Sequence, residues 1–141
     1  MAFVVGVILA LSVGLSASSI GLDRDRAFYP IVMIVIASYY ALFAVMGGSI
    51  EVLAPESVAI AVFIVISIAG FRNSLWLVVA ALLAHGVFDV VHSKIILNPG
   101  VPNWWPNFCL AYDVVAGLYL AWLLKTSRLK SRDNNTMTPK S

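Results

Sequence analysis

Five apolar runs, each close to the length of a membrane-crossing helix, fill most of the first 125 residues of the chain. They lie at about 2–21, 28–47, 51–70, 74–96 and 108–124, and a helical span needs about 20 apolar residues. The chain is 61% hydrophobic and only 11% charged, whereas a soluble domain typically carries about 25% charged residues. We therefore expect residues 1–125 to form an all-α polytopic transmembrane helix bundle.

The third run is the hardest of the five to delimit. Pro55-Glu56-Ser57 has the pattern of a helix start, because proline is favoured in the first turn of a helix. A helix that begins there has about 15 residues before Gly70, which is short for a full crossing. In that case residues 49–54 form a separate interfacial turn, and the bilayer thins around the short helix. Otherwise the span begins near Glu51.

Lysines and arginines follow the first, third and fifth runs. The three basic clusters are Arg24 with Arg26, Arg72 alone, and Lys125 with Arg128, Lys130 and Arg132. Five crossings put all three clusters on one side, and basic residues favour the cytoplasmic side. We therefore expect the N-terminus outside and the C-terminus in the cytoplasm, in a multi-pass protein of a cell inner (plasma) membrane. A signal peptide has basic residues before its apolar run, and the first run here has none. It is therefore expected to remain as a span.

The tail at residues 126–141 is polar, and its first half is basic. Such a composition predicts disorder, with the basic half lying against anionic lipid headgroups. Membrane lipids are therefore the expected partners, and no nucleic-acid partner is expected. Cys109 is the single cysteine, so a disulfide within the chain is excluded.

Small residues recur every four positions along one face of the first run, at Gly6, Ala10, Gly14 and Ser18. This spacing lets two helix backbones approach closely. The ridge either packs against another helix of the same chain, which we favour, or forms the seam of a homodimer.

Ionisable side chains interrupt the fourth and fifth runs, at depths where the surroundings are expected to be hydrocarbon. His85, Asp89 and His92 fall at i, i+4 and i+7, which places them within roughly 60° of one another on a helix. Asp113 in the fifth run lies at a matching depth, because a short loop joins two antiparallel spans. Ionisable groups inside a membrane are costly and indicate functional sites. The predicted site opens toward the outer face, and its possible neighbours are Cys109, Tyr112, Tyr39, Tyr40 and Glu51.

Three interpretations of this site remain open. Two imidazoles and two carboxylates suit zinc or another first-row divalent ion, although the His-Glu-x-x-His signature of the zinc metalloproteases is absent. A cluster of this kind could instead handle protons or ions without a fixed metal. The acids could also accept hydrogen bonds that clamp helices together, although such bonds contribute only about 0.6 kcal/mol on average in membranes.

The connection at residues 95–107 is rich in proline, asparagine and tryptophan. Adjacent tryptophans favour the headgroup level of a bilayer, so the simplest interpretation is an interfacial anchor and a tight turn. Because this loop joins the two spans that carry the predicted site, a second interpretation is a lid that grips an acyl chain or another apolar ligand.

Three segments resemble those of small bacterial polytopic membrane proteins that have no assigned activity. The segments are Asp23–Pro30, His85–His92, and Trp105–Cys109 together with Tyr112-Asp113. A weaker likeness is to the alkaline ceramidase and adiponectin-receptor group of membrane hydrolases, which hold zinc with three histidines and an acid among seven helices. This chain has two histidines and about five spans, so that likeness is one of chemistry, in which Asp89, Asp113 or Cys109 replaces the third histidine.

These observations lead to one functional expectation and two alternatives. The chain is expected to be a small bacterial inner-membrane protein without an assigned activity. If the site of His85, Asp89, His92 and Asp113 is catalytic, the expected chemistry is hydrolysis of a lipid-like substrate assisted by zinc or a similar ion, with Asp89 or Asp113 moving the proton. The first alternative is a proton- or ion-coupled transporter, and the second is a structural or accessory subunit of a membrane complex.

Overall fold

The computed structural model describes residues 1–126, 128 and 129, and within those residues it consists of helices and connections without a strand. The long helices are α1 (Ala2–Ile20), α2 (Phe28–Met46), α3 (Ile50–Arg72), α4 (Trp76–Ile95) and α5 (Trp105–Lys125), with a single 3-10 turn at Leu22–Arg24. All five are long and apolar enough to cross a membrane. The predicted all-α class and the five candidate spans are therefore confirmed. The predicted disordered tail lies almost wholly outside the described residues.

Two helix boundaries differ from the predicted ones. α3 is continuous from Ile50, so residues 49–54 do not form a separate interfacial turn. Pro55 lies inside α3, where its missing N–H removes only the hydrogen bond to the carbonyl four residues earlier. α5 begins at Trp105 rather than at residue 108, because Pro106 sits in its first turn, the position in a helix that tolerates proline best.

The helices pack in an order that differs from their order in the chain. α5 lies between α1 and α4, α3 packs against both α4 and α2, and α2 also contacts α4. The backbone of α2 does not pack closely against α1 or α5. One side of the bundle is therefore left with a gap between α2 and the α1–α5 pair.

The small-residue ridge of α1 packs against α5 within the chain. Gly6, Ala10 and Gly14 are buried, and a Cβ added at Gly6 would lie 2.4 Å from the carbonyl oxygen of Phe108. The ridge is thus used for close packing between helices of one molecule. A homodimer seam on the same ridge stays a prediction, and it would require α1 to move away from α5.

The turn at Asp23–Arg26 is fastened to helix ends on both sides. Ser18, the last residue of the ridge, donates a hydrogen bond to Asp23 and shares another with the Tyr119 hydroxyl of α5. Arg26 donates from Nε to the carbonyl of Phe71 at 2.7 Å. That carbonyl lies in the last turn of α3, where acceptors have no partner within the helix. Arg26 therefore caps α3 and fixes the α1–α2 connection beside it.

Replacing Gly6 with alanine should lower thermal stability, because the new methyl group would meet backbone atoms of α5 that cannot move cheaply. Overpacking of this kind costs about 1–3 kcal/mol. Gly14→Ala is the matched control, since the three atoms nearest its Cβ, at 3.0–3.4 Å, belong to the side-chain ring of Tyr119 and not to backbone. In detergent, the unfolding midpoint of Gly6→Ala should fall by several degrees and that of Gly14→Ala should stay near the wild type. Equal midpoints for the two variants would contradict the tight contact at Gly6.

Candidate metal centre

α4 and α5 bring one histidine and two aspartates together in the interior of the bundle. His85 Nδ1 lies 2.8 Å from Asp113 Oδ2 and 3.4 Å from Asp89 Oδ2. All three side chains are buried. Gly86 makes the approach feasible, because a Cβ there would already lie 3.3 Å from Asp113 Cβ.

Tyr40 of α2 completes this group by donating a hydrogen bond from its hydroxyl to Asp89 Oδ1. Two carboxylate oxygens, Asp89 Oδ2 and Asp113 Oδ1, are buried and have no hydrogen-bond donor among the described residues. An unpaired polar atom in a low-dielectric interior is costly, and the cost is greater for a charged one. These oxygens therefore need a proton, a water molecule or a cation.

Among the described residues, no lysine or arginine supplies a positive charge to these carboxylates. Within the described part of the chain, the ion pairs of Asp89 and Asp113 are with His85, and neither acid lies within 4.0 Å of a lysine or arginine. Even a protonated His85 leaves a net negative charge if both acids are ionised. A divalent cation would neutralise the group.

The donor set fits a first-row divalent ion. One ligand atom from each of His85, Asp89 and Asp113 can be chosen so that all lie within 4.8 Å of one another. Zinc accepts imidazole and carboxylate ligands at about 2.0–2.2 Å, and catalytic sites use three protein ligands with a fourth position open. Manganese also accepts carboxylates. The three residues could therefore hold a metal ion.

His92 lies in a second buried polar cluster, nearer the α4–α5 connection. Its Nε2 lies 2.9 and 3.1 Å from the two carboxylate oxygens of Glu56 in α3. Asn98 donates from Nδ2 to the same carboxylate at 2.8 Å, and also to the carbonyl of Tyr40 at 3.1 Å. Glu56 is thus held by one histidine and one amide, and the three residues tie α3 and α4 to the loop.

Tyr40 links the two clusters. Its ring stacks on the ring of His92 with centroids 4.0 Å apart, while its hydroxyl bonds to Asp89. A movement of Tyr40 would therefore disturb both the Asp89 carboxylate and the His92 ring.

The structure brings together three of the four predicted ligands, His85, Asp89 and Asp113. It places the fourth, His92, against Glu56, because the i+7 position lies about 10 Å from His85 along the axis of α4. Of the predicted neighbours, Tyr40 contacts the site directly. Tyr39 is partly exposed and packs against Trp105.

Of the other predicted neighbours, two are buried and one is exposed. Cys109 is buried one turn before Asp113 and belongs to the same apolar cluster as Tyr40. Tyr112 packs into the main core. Glu51, which was predicted as a possible neighbour of the site, is exposed in the first turn of α3.

Glu56 and Asn98 belong to the polar system but were not among the predicted site residues. The sequence places Glu56 at the outer end of the third run, where it could face the same space as His92, but a carboxylate near the interface needs no functional explanation. A carboxylate one and a half turns inside an apolar run was the available signal. The proline- and asparagine-rich loop was predicted as a lid or anchor, and Asn98 does extend from it to Glu56.

Comparison of the chain with protein-family models, with curated proteins and with solved structures finds no match to any of them. Function is therefore inferred from the geometry of the site.

Replacing Tyr40 with phenylalanine should destabilise the protein, because Asp89 Oδ1 would lose its donor in a buried setting. The expected cost is about 1–3 kcal/mol. Tyr39→Phe is the control, since this neighbouring tyrosine is 37% exposed whereas Tyr40 is 1% exposed. Unfolding of the two purified variants in detergent should show a clear loss for Tyr40→Phe and almost none for Tyr39→Phe. The reverse order would contradict the placement of Tyr40.

Proposed function

We propose that this chain is a multi-pass protein of a bacterial inner membrane that carries a metal-dependent hydrolase site for a lipid-like substrate. The observation that supports this most strongly is the buried group of His85, Asp89 and Asp113, with its two unpartnered carboxylate oxygens. The ligand set is narrower than the four residues expected from sequence, because His92 is engaged by Glu56.

Each side chain has a distinct role in this proposal. His85, Asp89 and Asp113 would hold the ion, and Tyr40 fixes the orientation of Asp89 through its hydrogen bond to Oδ1. A divalent ion bound there would supply a Lewis acid that polarises the bond to be hydrolysed. Asp113 Oδ1, which has no hydrogen-bond donor among the described residues, would take a proton from the water that attacks the substrate and pass it to the leaving group as the scissile bond breaks.

In this proposal, access from the polar side begins at a cavity beside the α4–α5 connection, which His92 lines and which lies one layer of side chains or more from the three buried ligands. This cavity has a volume of about 590 Å³, and its lining includes His92, Ser93 and Asn98. The basic clusters after α1, α3 and α5 favour the opposite end of the bundle as the cytoplasmic one, following the positive-inside rule. The proposed topology therefore has the N-terminus outside, the C-terminus inside and the site open to the outer face.

A second function is favoured by one specific observation. Asp89 is hydrogen-bonded to Tyr40 and His92 to Glu56, the rings of Tyr40 and His92 stack on each other, and His92 lines the cavity at the α4–α5 connection. Chains of acids and histidines within a helix bundle serve as proton relays. A proton- or ion-coupled role is therefore the alternative, and metal content separates the two.

Purified wild-type protein should contain about one first-row divalent ion per chain, as expected for a three-ligand site. His85→Ala should lose the ion, since it removes one of three ligands, and His92→Ala should keep it, since His92 pairs with Glu56. Inductively coupled plasma mass spectrometry on detergent-purified protein gives the stoichiometry. Loss of the ion in both variants would restore the four-ligand site, and a folded wild type without metal would favour proton handling.

Hydrolysis itself requires a separate test. Wild-type protein reconstituted with a bacterial lipid extract should release a new lipid product that mass spectrometry can identify. Asp113→Asn should lose this activity, because its amide cannot accept the proton and is a weaker ligand for the ion. Asp25→Asn is a suitable control, because Asp25 is exposed in the α1–α2 connection. No product above background, from protein that carries a stoichiometric ion, would contradict the hydrolase proposal and leave the metal centre intact.

A further inference from the structure

A lateral cleft separates α2 from α1 and α5. It has a volume of about 350 Å³ and exists because the backbones of α2 and α5 do not pack closely. Its lining is almost entirely aliphatic and aromatic and includes Leu9, Ile31, Val35, Phe108, Cys109 and Tyr112. A volume and lining of this kind are typical of sites for small apolar molecules.

The mouth of the cleft is continuous with the apolar side of the bundle. Leu9, Ile31 and Val35 line the cleft and are exposed within α1 and α2, two helices that are apolar enough to cross a membrane. At one end of the cleft, the ring of Tyr39 lies 5.1 Å from that of Trp105 and bridges α2 and α5. The mouth therefore faces acyl chains when the helices span a bilayer.

One residue, Cys109, belongs both to the cleft lining and to the packing around the metal centre. Cys109 is buried in this lining, one helical turn before Asp113. It packs in the same cluster as Tyr40, whose hydroxyl bonds to Asp89. The cleft lining therefore shares Cys109 with the packing around Tyr40, the residue that bonds to Asp89.

We propose that this cleft binds the hydrocarbon chain of a membrane lipid that enters sideways from the bilayer. The inference rests on the proposed function and names its substrate class, a lipid whose hydrolysable group lies beside a long hydrocarbon chain. Acyl chains are the occupant because they already surround the mouth, and because the cleft lining carries no charged side chain.

Photo-crosslinking tests the cleft directly. The protein is placed in nanodiscs of phosphatidylcholine that carries a diazirine at the end of one acyl chain, then irradiated, digested and mapped by mass spectrometry. Adducts are expected on the buried residues Cys109 and Tyr112, which plain lipid contact at the bundle surface would not reach. Val35→Trp should block the mouth and lower those adducts several-fold.

Val62→Trp is the matched control, because Val62 of α3 is 51% exposed, Val35 is 50% exposed, and Val62 lies outside the cleft lining. Ile31→Trp is a second blocking variant if Val35→Trp fails to fold. Adducts confined to exposed residues, or equal yields on Cys109 in the blocked and control variants, would overturn the proposal. Crosslinks from the cleft to a second protein molecule, with no lipid adducts, would overturn it as well.

Metal content measured on the same samples separates the two proposals. Wild-type metal in Val35→Trp, together with reduced lipid adducts, is the expected result. Adducts on Cys109 in a wild type that holds no ion would support the lipid cleft while contradicting the hydrolase. A stoichiometric ion without adducts on the buried residues would contradict the lipid cleft and leave the metal centre supported.

Discussion

The contact between His85 and Asp113 joins α4 to α5 in the interior of the bundle, where no lysine or arginine of the described residues lies within 4.0 Å of the acids. Removing one partner of a buried ion pair costs about 3–5 kcal/mol, because the other charge is left uncompensated. Here two carboxylates share one imidazole nitrogen, so the group is short of positive charge even when that histidine is protonated. The surrounding packing keeps the acids in this position. Gly86 allows α5 to approach, and the edge-on contact of Phe63 with His85, at 4.7 Å between centroids, shields the ring from the opposite side.

Tyr40 connects this centre to the rest of the polar system. Its hydroxyl donates a hydrogen bond to Asp89, its ring stacks on His92, and its backbone carbonyl accepts a hydrogen bond from Asn98. α2 therefore reaches the centre mainly through one side chain, while its backbone stands away from α5 and leaves the lateral cleft. Two spaces lie beside this polar system: His92 lines a polar cavity, and Cys109 lines an apolar cleft. A site for a molecule with a polar group and a hydrocarbon chain needs both.

Helix periodicity and span counting are enough to predict much of this arrangement. The i, i+4 spacing puts His85 and Asp89 on one face, and the short antiparallel connection brings Asp113 to the same depth. The remaining features depend on the order in which the helices pack, which local sequence does not encode. His92 lies only about 20° from His85 around the helix axis, but it is two turns, about 10 Å, further along α4, and at that level Glu56 of α3 is its partner. Tyr39 and Tyr40 are adjacent and chemically identical, so only the position of α2 decides which of them faces inward. Pro55 suggested a helix start, but the loss of a single hydrogen bond did not break α3.

X-ray absorption spectroscopy of the metal-loaded protein tests the three-residue centre most directly. The account predicts a first coordination shell of nitrogen and oxygen at about 2.0–2.2 Å, with the scattering of one imidazole and no sulfur at about 2.3 Å. A spectrum that requires two imidazoles would bring His92 into the centre, and a sulfur shell would bring in Cys109. Either result, or a folded protein that binds no first-row ion, would contradict a centre built from His85, Asp89 and Asp113.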